Sequence, residues 1–500
     1  MTGAVPQINW LALGPHILVL LTAFVVMFVD LAIFRRRDYQ NLMATNLISL
    51  FGLLVTLGFL FSIWSRAGDA AGMTTLYGTV VLDRFAVFFD MLFLIAGIIT
   101  ILFSWHYGRL EGFNHGEYYT LLLFAVYGMM VMASTNNLLM IFLGLELMSL
   151  AVYVMAGLIR GQEKSGEAAL KYFLLGAFST GFLLFGIVGI FGATGSLDIT
   201  QIGVPENATK LQTILALGGV ALLLVGFGFK TASVPFHMWT PDVYDGAPTT
   251  VTGFMAVGVK AAAFAAFLRV FGQALFSINL PWTKVLWVIA ILTMTYGNLV
   301  ALVQTNIKRM LAYSSIAHAG YILVGLVALF RSKEFGAEGI AFYLLVYAFM
   351  NLGAFGVIAY LAKKGDTEYS INSYAGLASR HPALAAVFSA FLFSLAGIPP
   401  FGGFFAKFYV FSAGIKAGLY WLVVIGVLNS MLSVYYYIRV VYLMYMKEAE
   451  EGVYAAQVSA PNFASGLGVI LTLAFTIVLG ILPQTFAQLA KASIEGVFNF

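Results

Sequence analysis

The sequence predicts an all-α polytopic membrane protein with about 14 transmembrane helices. Of its 500 residues, 61% are hydrophobic and only 10% are charged, whereas a soluble domain carries roughly 25% charged residues. Apolar stretches of about 20 residues, the length that crosses a bilayer, recur along the whole chain between short polar connections. They lack the alternation of a half-buried strand, and a backbone in lipid must satisfy its own hydrogen bonds, so we expect helices.

The composition also limits the possible functions. The chain has no cysteine, which excludes disulfides and cysteine-ligated iron–sulfur clusters. Its six histidines are scattered and do not suggest a metal site, so we expect neither metal nor cofactor on this chain. The net charge of +4 is small and spread out, which indicates no nucleic-acid partner. The start MTGAVPQINW lacks the basic residues of a signal peptide, so we expect the first span to remain in the mature protein.

The predicted spans can be numbered and oriented from the sequence. Their approximate centres, taken as the middle of each apolar stretch, are residues 22, 54, 94, 127, 148, 180, 223, 260, 293, 319, 350, 396, 431 and 475. Connections after odd-numbered spans carry 13 Lys and Arg, against 9 in the termini and the other connections, and Arg35–Arg37 directly follows span 1. Because such residues concentrate on the cytoplasmic side, we expect both termini outside.

Two stretches interrupt the helical pattern, in spans 7 and 12. They are GFGFKTASVPFHMWTPDVYDGAPTT at 226–250 and SLAGIPPFGGFFAKFYVFSAG at 394–414, with Lys230 beside the first break and Lys407 beside the second. Span 7 is fourth among spans 4–8, and span 12 is fourth among spans 9–13. Since five crossings is an odd number, a second copy begins on the opposite face, which predicts two inverted repeats with discontinuous helices 7 and 12. The expected parts are residues 1–112, 113–275, 276–448 and 449–500.

Five charged residues lie where lipid makes charge costly: Glu146, Lys171, Lys230, Lys260 and Lys407. Each central charge costs about 2.5–3.5 kcal/mol on insertion, so we expect these side chains to face one another or a wet interior. One interpretation is structural, with a buried Glu146–Lys230 pair fixing helix register and Lys171 pairing with Glu167 four residues earlier. However, a single glutamate cannot neutralise four lysines.

The second interpretation of these charges is functional. Desolvation lowers the pKa of an ammonium by up to several units, so a buried lysine can gain and lose a proton near neutral pH. Freed carbonyl and amide groups at a broken helix can hold water beside it. A chain of such groups would carry protons through the protein, with the lysines as proton carriers and the breaks hydrating their surroundings.

Two histidines lie close to these charges. His318, among Ser314, Ser315 and Tyr321 in span 10, fits a hydrogen-bonded core residue, but a histidine between the two broken spans can also relay protons. His237 follows the proline of the first break, where it can relay protons or simply cap the backbone. We interpret the other charges near span ends as interfacial or solvated: Asp30, Asp83, Lys308–Arg309 and Lys363–Lys364.

The motifs around these residues resemble one family over essentially the whole chain. The stretch VPFHMWTPDVYDGAPTTVTGF, with GFK before it and VGVKAAAF after it, is similar to the antiporter-like N subunits of bacterial respiratory complex I, the NADH:quinone oxidoreductase. GLELMSL, EAALKYFLLGAFSTGFLLFG, QTNIKRMLAYSSIAHAGYIL and LAGIPPFGGFFAKFYVF extend the similarity. The related M and L subunits usually carry a break sequence closer to FPxHxWLPDA. The family is also related to Mrp-type Na⁺/H⁺ antiporters.

The resemblance implies a fold, a function and site residues. It implies fourteen helices with inverted repeats of helices 4–8 and 9–13, and proton translocation coupled to electron transfer on other subunits. It matches the family's helix 5 glutamate to Glu146, paired with the helix 7 lysine at Lys230, and its helix 8 and helix 12 lysines to Lys260 and Lys407. It also assigns Lys171 to the proton path. FMN, iron–sulfur clusters and quinone would lie on partner subunits, with K-type and M-type neighbours in a bacterial inner membrane.

Three other functions stay open from the sequence. A stand-alone Mrp-like cation/proton antiporter would share the fold and the charges, although the break motif favours the complex I subunit. A structural scaffold of a membrane complex is a second possibility. A haem- or quinone-binding redox subunit is a third, but bis-histidine haem ligation needs two facing histidines at similar depth, and only His318 is clearly deep.

Overall fold

The computed structural model describes residues 8–33, 39–68, 73–203, 208–275, 282–362, 365, 369–448 and 462–497. For residues 32, 33, 39–42 and 333 it describes the backbone but not the side chains. The Arg35–Arg37 run that orients span 1 and the Lys363–Lys364 pair lie outside the described residues. The predicted orientation of the termini therefore stays a prediction.

The described chain is almost entirely helical. Its α-helices, in chain order, are α1 Trp10–Phe28, α2 Tyr39–Ile63, α3 Arg84–Leu110, α4 Gly116–Ala133, α5 Leu138–Ala156, α6 Glu163–Thr194, α7 Lys210–Thr231, α8 Thr240–Gly246, α9 Thr249–Phe254, α10 Lys260–Arg269, α11 Trp282–Leu302, α12 Ile307–Ala328, α13 Lys333–Tyr360, α14 Leu377–Arg380, α15 Pro382–Ala396, α16 Gly402–Lys416, α17 Tyr420–Met446, α18 Phe463–Ile481 and α19 Pro483–Ile494. Short 3₁₀ segments are Arg66–Gly68 and Ile371–Tyr374, and π-helical segments are Val29–Ile33, Met255–Val259 and Val270–Ala274.

The predicted spans are confirmed as helices. In the described residues, 13 helices are long and apolar enough to cross a membrane; the π-helical segments join α9 and α10 into one of them, Thr249–Ala274. The remaining predicted span, span 12, consists of α15 and α16, which have 15 residues each. Neither is long enough to cross alone, because a crossing needs about 20 residues.

A small hairpin was not predicted. Strands β1 Met73–Thr75 and β2 Val80–Leu82 pair antiparallel between α2 and α3, and Val80 also forms a bridge with Thr135 at the start of the connection to α5. Each strand has only three residues, which is too short for a period-two pattern to stand out in sequence.

Burial divides the spans into a central and a peripheral group. The spans of α9–α10 and α13 are fully buried over their most apolar window, and those of α12 and α3 are 94% and 89% buried. Outer spans such as α1, α6 and α17 are only 33–39% buried and expose large apolar side chains. Charged residues on the central helices are therefore shielded from lipid by a layer of other helices.

Spans 7 and 12 are broken in the same way. Helix α7 ends before Ala232, which has a φ of 61°, and α15 ends before Gly397, with a φ of 85°. In each case a proline that follows a cis peptide bond lies three residues later: Pro235, after the cis bond Val234–Pro235, and Pro400, after the cis bond Pro399–Pro400. A second helix then begins, α8 after the first break and α16 after the second.

A second local feature also occurs twice. Asn137 caps α5 and Asn306 caps α12, each through its side chain. Leu138 N donates to Leu197 O at 2.9 Å while Ile199 N donates to Asn136 O at 2.7 Å. The matching bonds at the other site are Ile307 N to Tyr369 O and Ile371 N to Thr305 O, both 2.8 Å. Because five predicted spans separate the two caps, they lie on opposite membrane faces, as an inverted repeat requires. These parallels support the predicted repeat, which remains a prediction, as do the domain boundaries.

The break in span 12 generates a stability prediction. A Cβ at Gly403 would lie 1.7 Å from the backbone oxygen of Ser394, and this oxygen cannot move without shifting α15. We expect Gly403→Ala to destabilise the protein by about 1–3 kcal/mol or more, because overpacking displaces backbone. The control is Gly466→Ala in α18, where a Cβ would meet nothing within 4 Å. Thermal denaturation of the purified protein checks this; equal melting of both variants would contradict it.

Candidate functional site

Three of the predicted lysines lie inside the helical bundle. Lys230 and Lys260 are each 2% exposed, and Lys407 is 5% exposed. Their amines therefore do not reach the lipid headgroups. None of the three forms an ion pair within the described residues, because the carboxylates with a cation within 4.0 Å pair with other side chains. All three ammonium groups instead bind neutral oxygen atoms.

Lys230 lies in the last turn of α7, where the helix dipole favours a cation. Its Nζ donates to Ser149 Oγ at 2.7 Å and to Tyr153 Oη at 3.0 Å. The same Nζ lies 5.1 Å from the ring centroid of Tyr153 and 5.5 Å from that of Tyr172. Hydroxyl groups and aromatic faces thus stabilise the charge, without a carboxylate in contact.

The expected Glu146–Lys230 ion pair is absent in the described structure. Glu146 is on α5, as predicted, but its Oε1 is buried with no hydrogen-bond partner among the described residues. The hydroxyl that Lys230 does bind, Ser149, lies three residues further along the same helix, a rise of about 4.5 Å. The lysine binds the next turn of α5 instead, and Oε1 of Glu146 is left without a hydrogen-bond partner among the described residues.

Lys260 follows a distorted stretch of its span. The π-helical turn Met255–Val259 comes directly before it, and such turns often mark functional sites. Its Nζ donates to Ser315 O at 2.6 Å and also to Ser315 Oγ. Tyr347 Oη donates to the same Oγ at 2.9 Å. One serine of α12 therefore connects the lysine to a buried tyrosine on α13.

Lys407 uses an oxygen that the break in span 12 provides. Its Nζ donates to Ala396 O at 2.8 Å and to Ser430 Oγ at 2.9 Å. Ala396 is the last residue of α15, so its carbonyl has no partner further along the helix. The Nζ also lies 5.2 Å from the centroid of the Tyr321 ring. A cavity of about 400 Å³, lined mostly by apolar side chains, opens beside Lys407 and Ser430; hydration of the breaks stays a prediction.

His318 lies between Lys260 and Lys407. Its Nδ1 is 2.6 Å from Tyr343 Oη, and its Nε2 is 3.2 Å from Tyr437 Oη. Its ring centroid is 5.2 Å from that of Tyr347 and 5.7 Å from that of Tyr321. The Tyr347 centroid lies 5.8 Å from Lys260 Nζ and the Tyr321 centroid 5.2 Å from Lys407 Nζ. The histidine is thus hydrogen-bonded in the core and also placed where a relay would need it.

Aromatic residues fill the space between Lys230 and Lys260. Tyr172 stacks on Trp239 with ring centroids 4.4 Å apart, and Trp239 lies 6.1 Å from Tyr244. Tyr244 interacts in turn with Ser315, the serine that binds Lys260. The sequence assigned no role to these residues, although Trp239 and Tyr244 fall within the first break.

Lys171 has a different environment from the three buried lysines. Its side chain is 40% exposed and pairs with Glu167 at 2.5 Å, as predicted, and also with Asp242 at 2.7 Å. Arg309 donates to the other oxygen of Asp242 at 2.7 Å. Asp242 is in α8, the short helix after the first break, so Lys171 and Arg309 hold this helix from two sides.

The prediction that Lys308 is solvated is wrong. Its side chain lies in the first turn of α12 and is 1% exposed. Its Nζ donates to Asp245 O at 2.8 Å and Ala247 O at 2.7 Å, at the C-terminal end of α8. It also lies 4.4 Å from the centroid of the Tyr369 ring. From sequence alone, a lysine just after a helix cap is expected at the protein surface. The residues that bind Lys308 are about 60 positions away along the chain, so no local pattern indicates its burial.

His237 does not join the other site residues. Its ring packs edge-on against Tyr296 with a centroid distance of 4.6 Å, and its Nδ1 is buried with no partner in the described chain. Its backbone carbonyl accepts a bond from Thr240 N at 2.9 Å. This bond does not involve the imidazole, and α8 has no side-chain cap bond at its N-terminus, so both the relay role and the capping role of His237 stay predictions.

Asp83 lies at the end of a span, as the sequence indicated, but its side chain is only 11% exposed. It caps α3 by accepting Ala86 N at 2.8 Å, and it pairs with Arg269 at 2.7 Å. Arg269 is fully buried and donates as well to Ala133 O at 2.6 Å. No local sequence pattern indicates that the arginine at the end of span 8 turns inward. In the described residues no group of three or more His, Cys, Asp or Glu is placed to hold a metal ion.

This fold and its buried lysines define a class, the antiporter-like membrane subunits. The sequence matches a family described as NADH:quinone oxidoreductase/Mrp antiporter, TM, over residues 135–433. It is 50% identical over 419 residues to NADH-quinone oxidoreductase subunit N of Trichlorobacter lovleyi, a match that covers 83% of this chain and 85% of that protein. The chain belongs to the NADH-quinone oxidoreductase subunit N family.

Solved structures show the same fold. A chain of respiratory complex I from Thermus thermophilus with bound aureothin has a TM-score of 0.79 and 32% identity, covering 95% of this chain and 99% of that chain. A chain of the Mrp complex from a Dietzia species has a TM-score of 0.85 at 20% identity, with 98% coverage of both chains. The second likeness shows a shared fold alone.

The position of Lys308 generates a stability prediction. We expect Lys308→Met to destabilise the protein by about 2–3 kcal/mol, because it removes two charge-assisted hydrogen bonds and leaves buried carbonyls unpaired. Lys284→Met, at an exposed lysine, is the matched control and is expected to change little. Thermal denaturation in the same detergent compares the two. Similar melting temperatures would contradict the buried role.

Proposed function

We propose that this chain translocates protons across the membrane as a subunit of a NADH-quinone oxidoreductase, coupled to electron transfer on partner subunits. The proton path comprises Glu146, Lys171, Lys230, Lys260 and Lys407, with His318 as a relay. His237 is a weaker relay candidate, because its ring stands apart from the lysines. The observation that carries the proposal is a continuous row of neighbouring side chains inside the bundle. In spatial order they are Lys260, Tyr347, His318, Tyr321 and Lys407.

The chemistry follows from the partners of each amine. A buried ammonium bonded only to hydroxyl and carbonyl oxygens can lose a proton and still keep a hydrogen bond to its amine nitrogen, because a hydroxyl can donate as well as accept. The hydroxyls of Ser315 and Tyr347 beside Lys260 have this property. No carboxylate in contact has to separate from the lysine first, so proton loss creates no unpaired anion at the site.

The setting of the subunit is part of the proposal. Redox groups, namely FMN, iron–sulfur clusters and quinone, belong to partner subunits, and the absence of cysteine from the chain fits this division. The immediate neighbours are K-type and M-type membrane subunits. The membrane is a bacterial inner membrane, with both termini on the periplasmic side. The paired caps and breaks support the arrangement of spans 4–8 and 9–13 as inverted repeats.

An independent Mrp-like antiporter is the alternative function. The fold does not separate the two functions, since the Mrp chain shares it. The relatives at higher identity favour the oxidoreductase subunit. Reconstitution of the chain alone in liposomes with a Na⁺ gradient distinguishes them: an antiporter exchanges Na⁺ for H⁺ without partners, and the proposed subunit does not.

The central lysines generate the first functional prediction. We expect Lys230→Ala and Lys260→Ala each to lower proton translocation at least about tenfold, because a proton-transfer group is removed. The measurement is NADH-driven acidification in proteoliposomes that contain the whole assembled complex. Lys284→Ala, at an exposed lysine, is the matched control. Full pumping by both core variants in an assembled complex would refute the path.

His318 generates the second functional prediction. We expect His318→Gln to preserve assembly, because the amide can still bond a neighbouring tyrosine hydroxyl, but to reduce translocation at least about tenfold, since an amide does not relay protons. His381→Gln, at the partly exposed start of α15, serves as control. Normal pumping by His318→Gln would assign His318 a packing role only.

A further inference from the structure

A second group of buried charges lies outside the five predicted path residues. Asp90, in α3, is completely buried, and neither of its carboxyl oxygens accepts a hydrogen bond among the described residues. It lies within electrostatic range of Arg269 and Asp83, which form a buried ion pair at 2.7 Å. An unpaired carboxyl in such a position is unusual, because buried polar groups are normally hydrogen-bonded.

The neighbouring charges determine the protonation state of Asp90. Asp83 accepts bonds from Arg269 and from Ala86 N, so it is the ionised partner. One guanidinium cannot neutralise two carboxylates, and a buried anion without partners is so costly that the group binds a proton instead. Asp90 therefore holds a proton in the interior of the bundle.

The depth of Asp90 matches that of Lys260. The pairs Asp83–Arg269 and Ser104–Thr250, the latter at 2.9 Å, show that α3 runs antiparallel to the span of α9 and α10. In this register Asp90 is level with about residues 262–264, which is roughly 3–6 Å along the axis from Lys260. Asp83 is seven residues from Asp90, close to two turns, so both aspartates face the same side of α3.

We propose that Asp90, Arg269 and Asp83 form a proton-transfer site that continues the path from Lys260 towards the end of the bundle where α3 begins. This proposal rests on the proposed function and adds a carrier outside the predicted repeats. At the start, Arg269 pairs with Asp83, and Asp90 carries the proton. The side chain of Asp83 is 11% exposed, so it is the member of the group that reaches the surface.

The transfer leaves one ionised carboxylate beside Arg269 at each stage. Arg269 turns from Asp83 to Asp90, the O–H bond of Asp90 breaks, and its proton passes through water to form an O–H bond on Asp83. The Lys260 ammonium then gives up a proton through water to the Asp90 carboxylate and becomes a neutral amine. In the same step Asp83 releases its proton to water at the surface and Arg269 returns to Asp83. One guanidinium and one carboxylate remain paired throughout, which avoids the cost of an unpaired buried charge.

The test uses the assembled oxidoreductase in proteoliposomes with NADH as the electron donor. We expect Asp90→Asn to assemble normally, because an amide has the shape and neutrality of a protonated carboxyl, and to lower proton translocation at least about tenfold, because it cannot release a proton. Asp90→Glu is expected to restore most of the translocation. The infrared band of a protonated carboxyl should be present in the parent and lost in Asp90→Asn. Glu163→Gln, at an exposed carboxylate, is the control.

The outcomes separate this proposal from the proposed function. If Lys260→Ala stops pumping and Asp90→Asn does not, the proton path stands and the role of Asp90 is refuted. If both variants pump normally, the proposed function itself fails. Failure of Asp90→Asn to assemble would also overturn the proposal, because a neutral isostere should be tolerated where a protonated carboxyl was present.

Discussion

The structure depends on ammonium groups held in an apolar bundle by neutral oxygen atoms. Placing a charged lysine at the centre of a membrane helix costs about 2.5–3.5 kcal/mol. Lys230, Lys260 and Lys407 each donate two hydrogen bonds, and hydrogen bonds to charged groups contribute about 1.5–3 kcal/mol each. The bonds offset the insertion cost, so the amines stay inside without a carboxylate in contact.

A helix break provides one of these oxygen atoms. The others are serine and tyrosine hydroxyls and, at Lys260, the carbonyl of Ser315 inside α12. The last carbonyls of a helix have no partner within the helix, so a helix end offers an oxygen that a regular turn does not. The break in span 12 frees Ala396 O for Lys407. Near Lys260 a π-helical turn, Met255–Val259, lies directly before the lysine. Both features are small backbone irregularities beside a charge, and both lie in the interior of the protein, where irregular backbone can be tolerated in a membrane.

Some of this arrangement could be predicted from the sequence, and some could not. Long apolar runs and the Pro and Gly clusters define the spans and both breaks, because these signals are local. The inward direction of Lys230, Lys260 and Lys407 follows from the cost of exposing charge to lipid. The partners do not follow, since Ser149 and Ser315 look like ordinary helical serines. The burial of residues near span ends was not predicted for the same reason, because Lys308 and Asp83 are buried by helices that are distant in sequence.

The absence of contacting carboxylates in the described site has a consequence for coupling. A lysine in direct contact with an anion has its proton affinity set by that one partner. An ammonium with only neutral partners responds instead to every charge that changes within the low-dielectric interior, where electrostatic interactions extend further than in water. Glu146 stands about one turn from the bonds of Lys230, unbonded at Oε1, and movement of α5 or α7 changes their separation. Conformational change can therefore alter proton binding at the lysine, which is the coupling that the proposed function requires.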